Sequence, residues 1–304
     1  MKERYATEKE AKIKILGKVF MYTVRFFHDS GFTQLMPVML GKSVDPLGPD
    51  PGSSVVKIPE IEYQGEKLRL TTSMILHKQV AVKGIGRIFI MSPNIRLERA
   101  ERKESGRHLF EFTQADFEMS GAKKDDVFGL LEDYYRGLSE FLAREASEEF
   151  EALGIGIFEF KPPFKRYTTH ELFDKYGEDW ERQASLAHDQ PFWAICYKRE
   201  FYDKEDPKEE GHFLNYDLIY PEGFGEGISG AEREHEFEVI HRKIKRDKLD
   251  LSPYATYLKF AKAGLIPSAG AGIGMERLAR FLSKSKHISE VTLFRRVPGM
   301  PVDI

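Results

Sequence analysis

Apolar residues recur at helical spacing from about Thr7 to Asp29. Ile13, Phe20, Val24 and Phe27 share a face there, and Gly31 stands where the helix should stop. Phe32–Leu40 reads as a strand, with Pro37 admissible only at an edge or bulge. Gly41–Ser54 is crowded with Gly and Pro and predicts a long loop of functional interest. Leu68–Leu70 predicts a short strand. Thr71 or Thr72 is placed to cap a helix over Ser73–Val82. Arg87–Met91 is apolar and strand-prone. Asn94–Arg99 and His108–Met119 predict a strand pair about a polar turn at Glu101–Gly106. Leu130, Leu131, Tyr134, Leu138, Phe141 and Leu142 predict one amphipathic helix from Val127 to about Phe150. Tyr167–Phe173 looks like a capped helix start, His212–Tyr220 like a strand, and Phe237, Ile240 and Ile244 mark another helix. Ala269–Gly274 is a strand or Gly-rich turn that enters a helix at Met275–Leu282. Strands joined by hairpins or long insertions argue for an α+β fold, an antiparallel sheet flanked by helices. No repeat or low-complexity linker divides residues 1–304, which read as a single domain.

Composition narrows the class. The 304 residues are 41% hydrophobic and 31% charged, an ordinary globular balance. With 46 basic and 49 acidic side chains the net charge is −3, which gives no whole-molecule argument for nucleic acid. The single cysteine, Cys196, excludes an internal disulfide and a multi-cysteine zinc site, and it lies in an apolar stretch that suggests a buried, inert thiol. No membrane span or secretory signal is visible, so a cytoplasmic setting is expected. Asparagine occurs only at Asn94 and Asn215 while Lys and Glu abound, a balance that fits a heat-adapted source.

Three constellations carry chemistry. Strand alternation puts Arg96 and Glu98 on one face, and Phe112, Gln114, Asp116 and Glu118 on one face of the return strand. With Arg107 and His108 near the turn, such a surface suits a nucleotide: arginine for phosphate, an aromatic ring for a base. The second is Gly270-x-Gly272-x-Gly274-x-Glu276-Arg277, whose spaced glycines permit close approach of a backbone or ligand. It is neither a dinucleotide fingerprint nor a P-loop. The third is Asn215-Tyr216-Asp217 followed by Glu226, Ser229 and Arg233; Asp217, Glu226 and Ser229 are hard oxygen ligands suited to Mg²⁺.

In this order the three resemble the catalytic core of class II aminoacyl-tRNA synthetases, in the aspartyl/asparaginyl branch, over nearly the whole chain. The resemblance implies ATP and Mg²⁺. Arg96 would hold the α-phosphate. Glu98 would contact the adenine or the amino-acid end. Arg107 and His108 would reach the γ-phosphate, and Phe112 and Arg277 would sandwich the adenine. Glu226 and Ser229, with Asp217, would carry Mg²⁺, and Arg233 would bind a carboxyl or amide of the amino acid. Ser73, Lys78, Gln114, Asp116, Glu118, Asn215 and Gly272 complete the implied amino-acid site. A homodimer is expected through the first signature segment, Gly31–Pro37.

The match begins almost at residue 1, which suggests a core without the branch's anticodon-binding barrel, with tRNA binding unlikely. Free-standing cores of this kind resemble ammonia-dependent asparagine synthetases, archaeal ones related to asparaginyl-tRNA synthetase among them. These would turn L-aspartate, ATP and ammonia into L-asparagine and AMP through an aspartyl-adenylate. Ser73–Gln79 resembles the aspartate-recognition helix and keeps Lys78, although Ile75 replaces the usual glutamine. Asp45, aided by Asp116 or Glu118, would hold ammonium and take its proton. The alternatives are a truncated synthetase that transfers the amino acid to tRNA or protein, and a non-catalytic paralogue that binds an amino acid or nucleotide.

Overall fold

A computed structural model describes residues 2–47, 55–197 and 200–302. Helix α1 (Lys2–Asp29) is followed by β1 (Thr33–Gln34), β2 (Leu40–Gly41), β3 (Val55–Lys57), β4 (Glu60–Tyr63) and β5 (Glu66–Leu70). Helix α2 (Ile75–Ile85) leads into β6 (Arg87–Ile95), β7 (Leu97–Glu98), a 3-10 turn (Ala100–Ser105) and β8 (Glu111–Ser120). Helices α3 (Lys124–Glu145) and α4 (Ser147–Leu153) precede β9 (Lys165–Thr168), α5 (Thr169–Tyr176), α6 (Trp180–Ala187) and β10 (Phe192–Ile195). The chain closes with β11 (Asn215–Tyr220), β12 (Gly225–Glu232), α7 (Phe237–Arg246), α8 (Ala255–Lys262), β13 (Ser268–Gly274) and α9 (Met275–Leu282).

Eight strands form the main sheet in the order β1-β6-β8-β13-β12-β11-β10-β9. The six inner strands pair antiparallel, and only the edge strands β1 and β9 run parallel to their neighbours. This is the expected α+β architecture. Its two faces follow from the period-2 alternation of each strand. Ala115, Phe117 and Met119 of β8 and Ala269, Ala271 and Ile273 of β13 point into the large core. There they pack with Phe27 of α1, Leu131 and Tyr135 of α3, and Leu278 of α9. Gln114, Asp116 and Glu118 therefore face the other way, with Gly270, Gly272 and Gly274 opposite them in register. Across the next pair, Asp217 lies opposite Ser229, which lies opposite Gly272. A register shift after Leu218 brings Glu226 opposite Ile219 on this same polar face.

Several expectations need correction. Only Thr33–Gln34 and Leu40 of the Phe32–Leu40 stretch are in strands. Pro37 has no N–H to give a ladder, and the intervening backbone makes isolated bonds, Leu35 N–H to Phe89 O and Met39 O from Thr71 N–H. The Val127–Phe150 helix is two helices, broken at Ala146, where the φ of −130° leaves the helical range. The second begins with Glu148 and Glu149 in its first turn, where the helix dipole favours acids. Neither Thr71 nor Thr72 caps α2. Their hydroxyls donate to Val38 O (2.5 Å) and Asp45 O (2.9 Å), and Ser73 Oγ instead accepts the Ile75 N–H at 3.2 Å. Positions 48–54 of the predicted Gly/Pro loop lie outside the described residues.

Candidate active site

The polar face of the sheet carries two adjoining cavities. One is lined by Asp45, Ser73, Lys78, Asp116, Ser229, Arg233 and Gly272. The other is lined by Glu98, Arg107, His108, Phe112, Glu276 and Arg277. Arg96, Gln114 and Glu226 line both, so the two cavities meet at those three side chains. The first has the size class and polarity of an amino-acid site, the second the aromatic ring and arginines of a nucleotide site.

At the first cavity, α2 delivers Lys78 onto the β8–β13 pair. Its ammonium donates to Asp116 Oδ1 at 2.9 Å, Ala271 O at 3.2 Å and Phe117 O at 3.3 Å. All three N–H groups thus have internal acceptors in this state. Lys78 also lines the cavity, so the residue expected to meet a substrate carboxylate is held there by Asp116. The other Asp116 oxygen, Oδ2, is buried and has no hydrogen-bond partner among the described residues. That acceptor suits a substrate ammonium. Gly272 leaves room beside it: an added Cβ would sit 2.9 Å from Gln114 Nε2 and 3.0 Å from Asp116 Oδ1 and would press on both side chains.

Arg233 is buried between two carboxylates. Its Nε donates to Glu118 Oε1 at 3.2 Å, Nη1 to Asp203 Oδ1 at 3.4 Å, and Nη2 to Gly270 O at 3.0 Å. Burial alone would lower its pKa, but Glu118 and Asp203 outweigh that and raise it. Glu118 also accepts from Ser268 Oγ at 2.9 Å and does not line the cavity, so it acts here by holding Arg233. Asn215, also expected at the substrate, does not line the cavity; its amide bonds Tyr197 O at 3.0 Å and Asp203 Oδ2 at 2.9 Å. Asp45 is no surface turn residue: it is buried, lines the cavity and accepts the Leu47 N–H at 3.0 Å. Burial raises its pKa against the opposing pull of Arg96. Glu200, Tyr202 and Asp203 line the same end, and sequence reading missed all three. They come from an irregular segment with no periodicity to mark it.

At the second cavity, Arg96 donates Nε to Thr72 O at 3.1 Å, and its guanidinium lies 5.3 Å from the centre of the Phe112 ring. The predicted common face of Arg96 and Phe112 is therefore present. Glu276 accepts the Thr113 N–H at 3.0 Å, and burial pushes its carboxyl up to about 7. Arg277 pairs with Glu226 at 3.0 Å. His108 is driven down to about 2 by burial and by Arg277, Arg107 and Arg102, so its ring is neutral and brings no charge of its own to a phosphate. Ser105 Oγ lies 2.5 Å from its Nδ1.

No group of three or more His, Cys, Asp or Glu able to hold an ion occurs among the described residues. Asp217, Glu226 and Ser229 nonetheless share the polar face beside the nucleotide cavity. Two carboxylates and a hydroxyl fit Mg²⁺ when substrate phosphates complete its shell. Cys196 is half-buried, and burial raises its thiol pKa. No helix of the described residues is long and apolar enough to cross a membrane.

Comparison with known proteins gives a consistent result. The model of the family "tRNA synthetases class II (D, K and N)" matches residues 3–298. An asparagine–tRNA ligase of Thermoplasma acidophilum is 27% identical over 93% of this chain and 68% of its own length. That of Pyrococcus abyssi is 30% identical over 79% of this chain, and the matched part is 59% of its length. The asparaginyl-tRNA synthetase of Pyrococcus horikoshii, solved with asparaginyl-adenylate, superposes with a TM-score of 0.83 at 25% identity, covering 97% of this chain and 70% of that one. The fold, the paired cavities and the family match agree: the chain belongs to the class II tRNA synthetases of the D, K and N group.

Proposed function

We propose that this chain is an ATP-dependent, AMP-forming ligase that activates aspartate or asparagine as an acyl adenylate. The meeting of an amino-acid cavity and a nucleotide cavity at Arg96 carries this reading. The similar Pyrococcus horikoshii enzyme, solved with asparaginyl-adenylate, supports it. A carboxylate oxygen attacks the α-phosphorus in line, and pyrophosphate leaves. Arg96 offers its guanidinium to the charge that develops on the α-phosphate. Arg107 and Arg277 hold the outgoing phosphates, and Phe112 stacks the base. Asp217, Glu226 and Ser229 would hold Mg²⁺, which neutralises phosphate charge when bound. Asp116 Oδ2 receives the substrate ammonium, and Arg233, fixed by Glu118 and Asp203, presents its cationic edge to a carboxyl or amide.

For the acceptor, the relatives named asparagine–tRNA ligases support transfer to tRNA: a terminal ribose hydroxyl attacks the acyl carbon and AMP leaves. A second reading, amide formation, is favoured by the acidic end of the amino-acid cavity. There Asp45, Glu200 and Asp203 would accept protons from ammonium, freeing neutral ammonia to displace AMP from aspartyl-adenylate. The experiment is incubation with ATP, Mg²⁺ and aspartate or asparagine, with NH₄⁺ in one arm and tRNA in the other. Asparagine newly formed from aspartate, with AMP, in the NH₄⁺ arm establishes the amide ligase, and acylated tRNA with no asparagine formed from aspartate establishes the tRNA ligase. AMP formation in neither arm rejects both.

A further inference from the structure

Helix α6 belongs to neither cavity, yet it touches the nucleotide site from behind. Glu181, in its first turn, reaches Arg107, and the same oxygen, Oε1, accepts the Glu226 N–H at 3.2 Å. Arg107 lines the nucleotide cavity and Glu181 does not, so the carboxylate sits on the side of the guanidinium away from ligand. The helix is pinned in place. Ser185 Oγ donates to Tyr220 O at 2.5 Å and accepts the Gly223 N–H at 2.9 Å. The backbone is shaped around the pair as well: at Gly225, whose φ is +75°, a Cβ would collide with the Arg107 guanidinium and lie 2.7 Å from Glu181 Oε1.

The surroundings explain why such a partner is needed. Arg107, Arg277 and Arg280 crowd one region. Burial and the fields of Arg107 and Arg277 pull the Arg280 guanidinium down to about 10. Arg277 is held by Glu226 and Arg280 by the Lys286 carbonyl, so Arg107 needs an acceptor of its own to keep its place beside them before a polyphosphate arrives. Burial also works against the charge on Arg107, but the Glu181 carboxylate overrides it and raises its pKa.

We infer that Glu181 is a positioning residue for the polyphosphate tail of the nucleotide, holding Arg107 ready against the arginine cluster. It acts through Arg107 and touches no ligand. The inference rests on the adenylating reading above. It requires Glu181 to matter for the β- and γ-phosphates and to be irrelevant to the adenosine and α-phosphate.

The test is calorimetric binding of ATP and of AMP to the full chain and to Glu181→Gln, Arg107→Ala and the double variant, with Tm recorded for each. Glu181→Gln is expected to weaken ATP roughly tenfold and to leave AMP within about twofold. In the Arg107→Ala background the same change should alter ATP binding by less than about twofold, because the group it serves is gone. Glu181→Asp should recover part of the loss. Equal weakening of ATP and AMP, or ATP bound as tightly as or more tightly than by the unaltered chain, would overturn the inference. An unaltered chain that binds neither nucleotide would overturn the adenylating reading itself and this inference with it. An unaltered chain that binds both, with Glu181→Gln unchanged, sinks the positioning role alone.

Discussion

At the amino-acid end of the cleft, Lys78 and Arg233 are buried. All three Lys78 N–H groups and each Arg233 nitrogen are directed at protein oxygens before any substrate arrives. At the nucleotide end, Arg96, Arg107 and Arg277 are half-buried and make fewer internal bonds, and Arg96 leans on an aromatic ring. The difference fits the ligands proposed for each end. A small zwitterion needs a rigid set of opposed charges whose desolvation is already offset by internal pairing. A polyphosphate carries several charges and can draw half-exposed arginines into place as it binds. One end reads as a fixed mould, the other as a set of arms steadied from behind.

Substitutions can break this contrast in graded steps. Arg96→Ala removes the one cation among the three side chains shared by both ends. Amino-acid-dependent ATP turnover should fall roughly 10³-fold while Tm stays nearly constant, because Arg96 serves the charge of the transition state more than the fold. Full activity would remove Arg96 from the reaction. Glu118→Ala takes one of its two carboxylate partners from the buried Arg233 cation and leaves it on Asp203 alone. Breaking a buried pair costs roughly 3–5 kcal/mol, so urea unfolding should show a loss of that order. A loss under about 1 kcal/mol, the range of exposed pairs, would show that the mould is not held by its ion pairs. Gly272→Ala pushes a methyl against Gln114 and Asp116. The KM for the amino acid should rise roughly tenfold, with the KM for ATP little changed. A matched rise in both would mean that the two ends do not act separately.

The smallest effect concerns pH. Glu276, at the nucleotide end, has its carboxyl raised to about 7 from an ordinary value near 4.5, chiefly by burial. A raised folded-state pKa means that its contribution is full below the unfolded value and is lost as pH climbs through about 7. Glu276→Gln, which keeps a neutral group there, should therefore gain stability relative to the unaltered chain as pH rises from about 4.5 to about 7. A stability difference flat across that window would show that Glu276 is ionised throughout.

How much of this was readable without coordinates differs between the two ends. Strand alternation alone put Phe112, Gln114, Asp116 and Glu118 on one face, and the spaced glycines signalled a close approach without naming the strand they lie against. What alternation does not report is depth. Phe112 and Gln114 line cavities, while Glu118, on the same face, is sealed beneath Arg233. Asn215 was likewise placed on the right strand and given the wrong neighbour, since its amide is spent on Asp203. Glu200, Tyr202, Asp203 and Glu181 lie in the least periodic part of the chain. They reach the site only through long-range packing, and no local pattern announces that. The two-helix break at Ala146 has the same cause: backbone geometry there departs from the helix without a Gly or Pro to signal it.

The central claim is that one cleft joins an amino acid to the α-phosphate of ATP. The direct measurement is exchange of labelled pyrophosphate into ATP by the purified chain with Mg²⁺, run separately with aspartate, with asparagine and with no amino acid. The account predicts label in ATP only when aspartate or asparagine is present, and its loss in Arg96→Ala. Exchange that ignores the amino acid, or no exchange with either under conditions where the chain is folded, would contradict it.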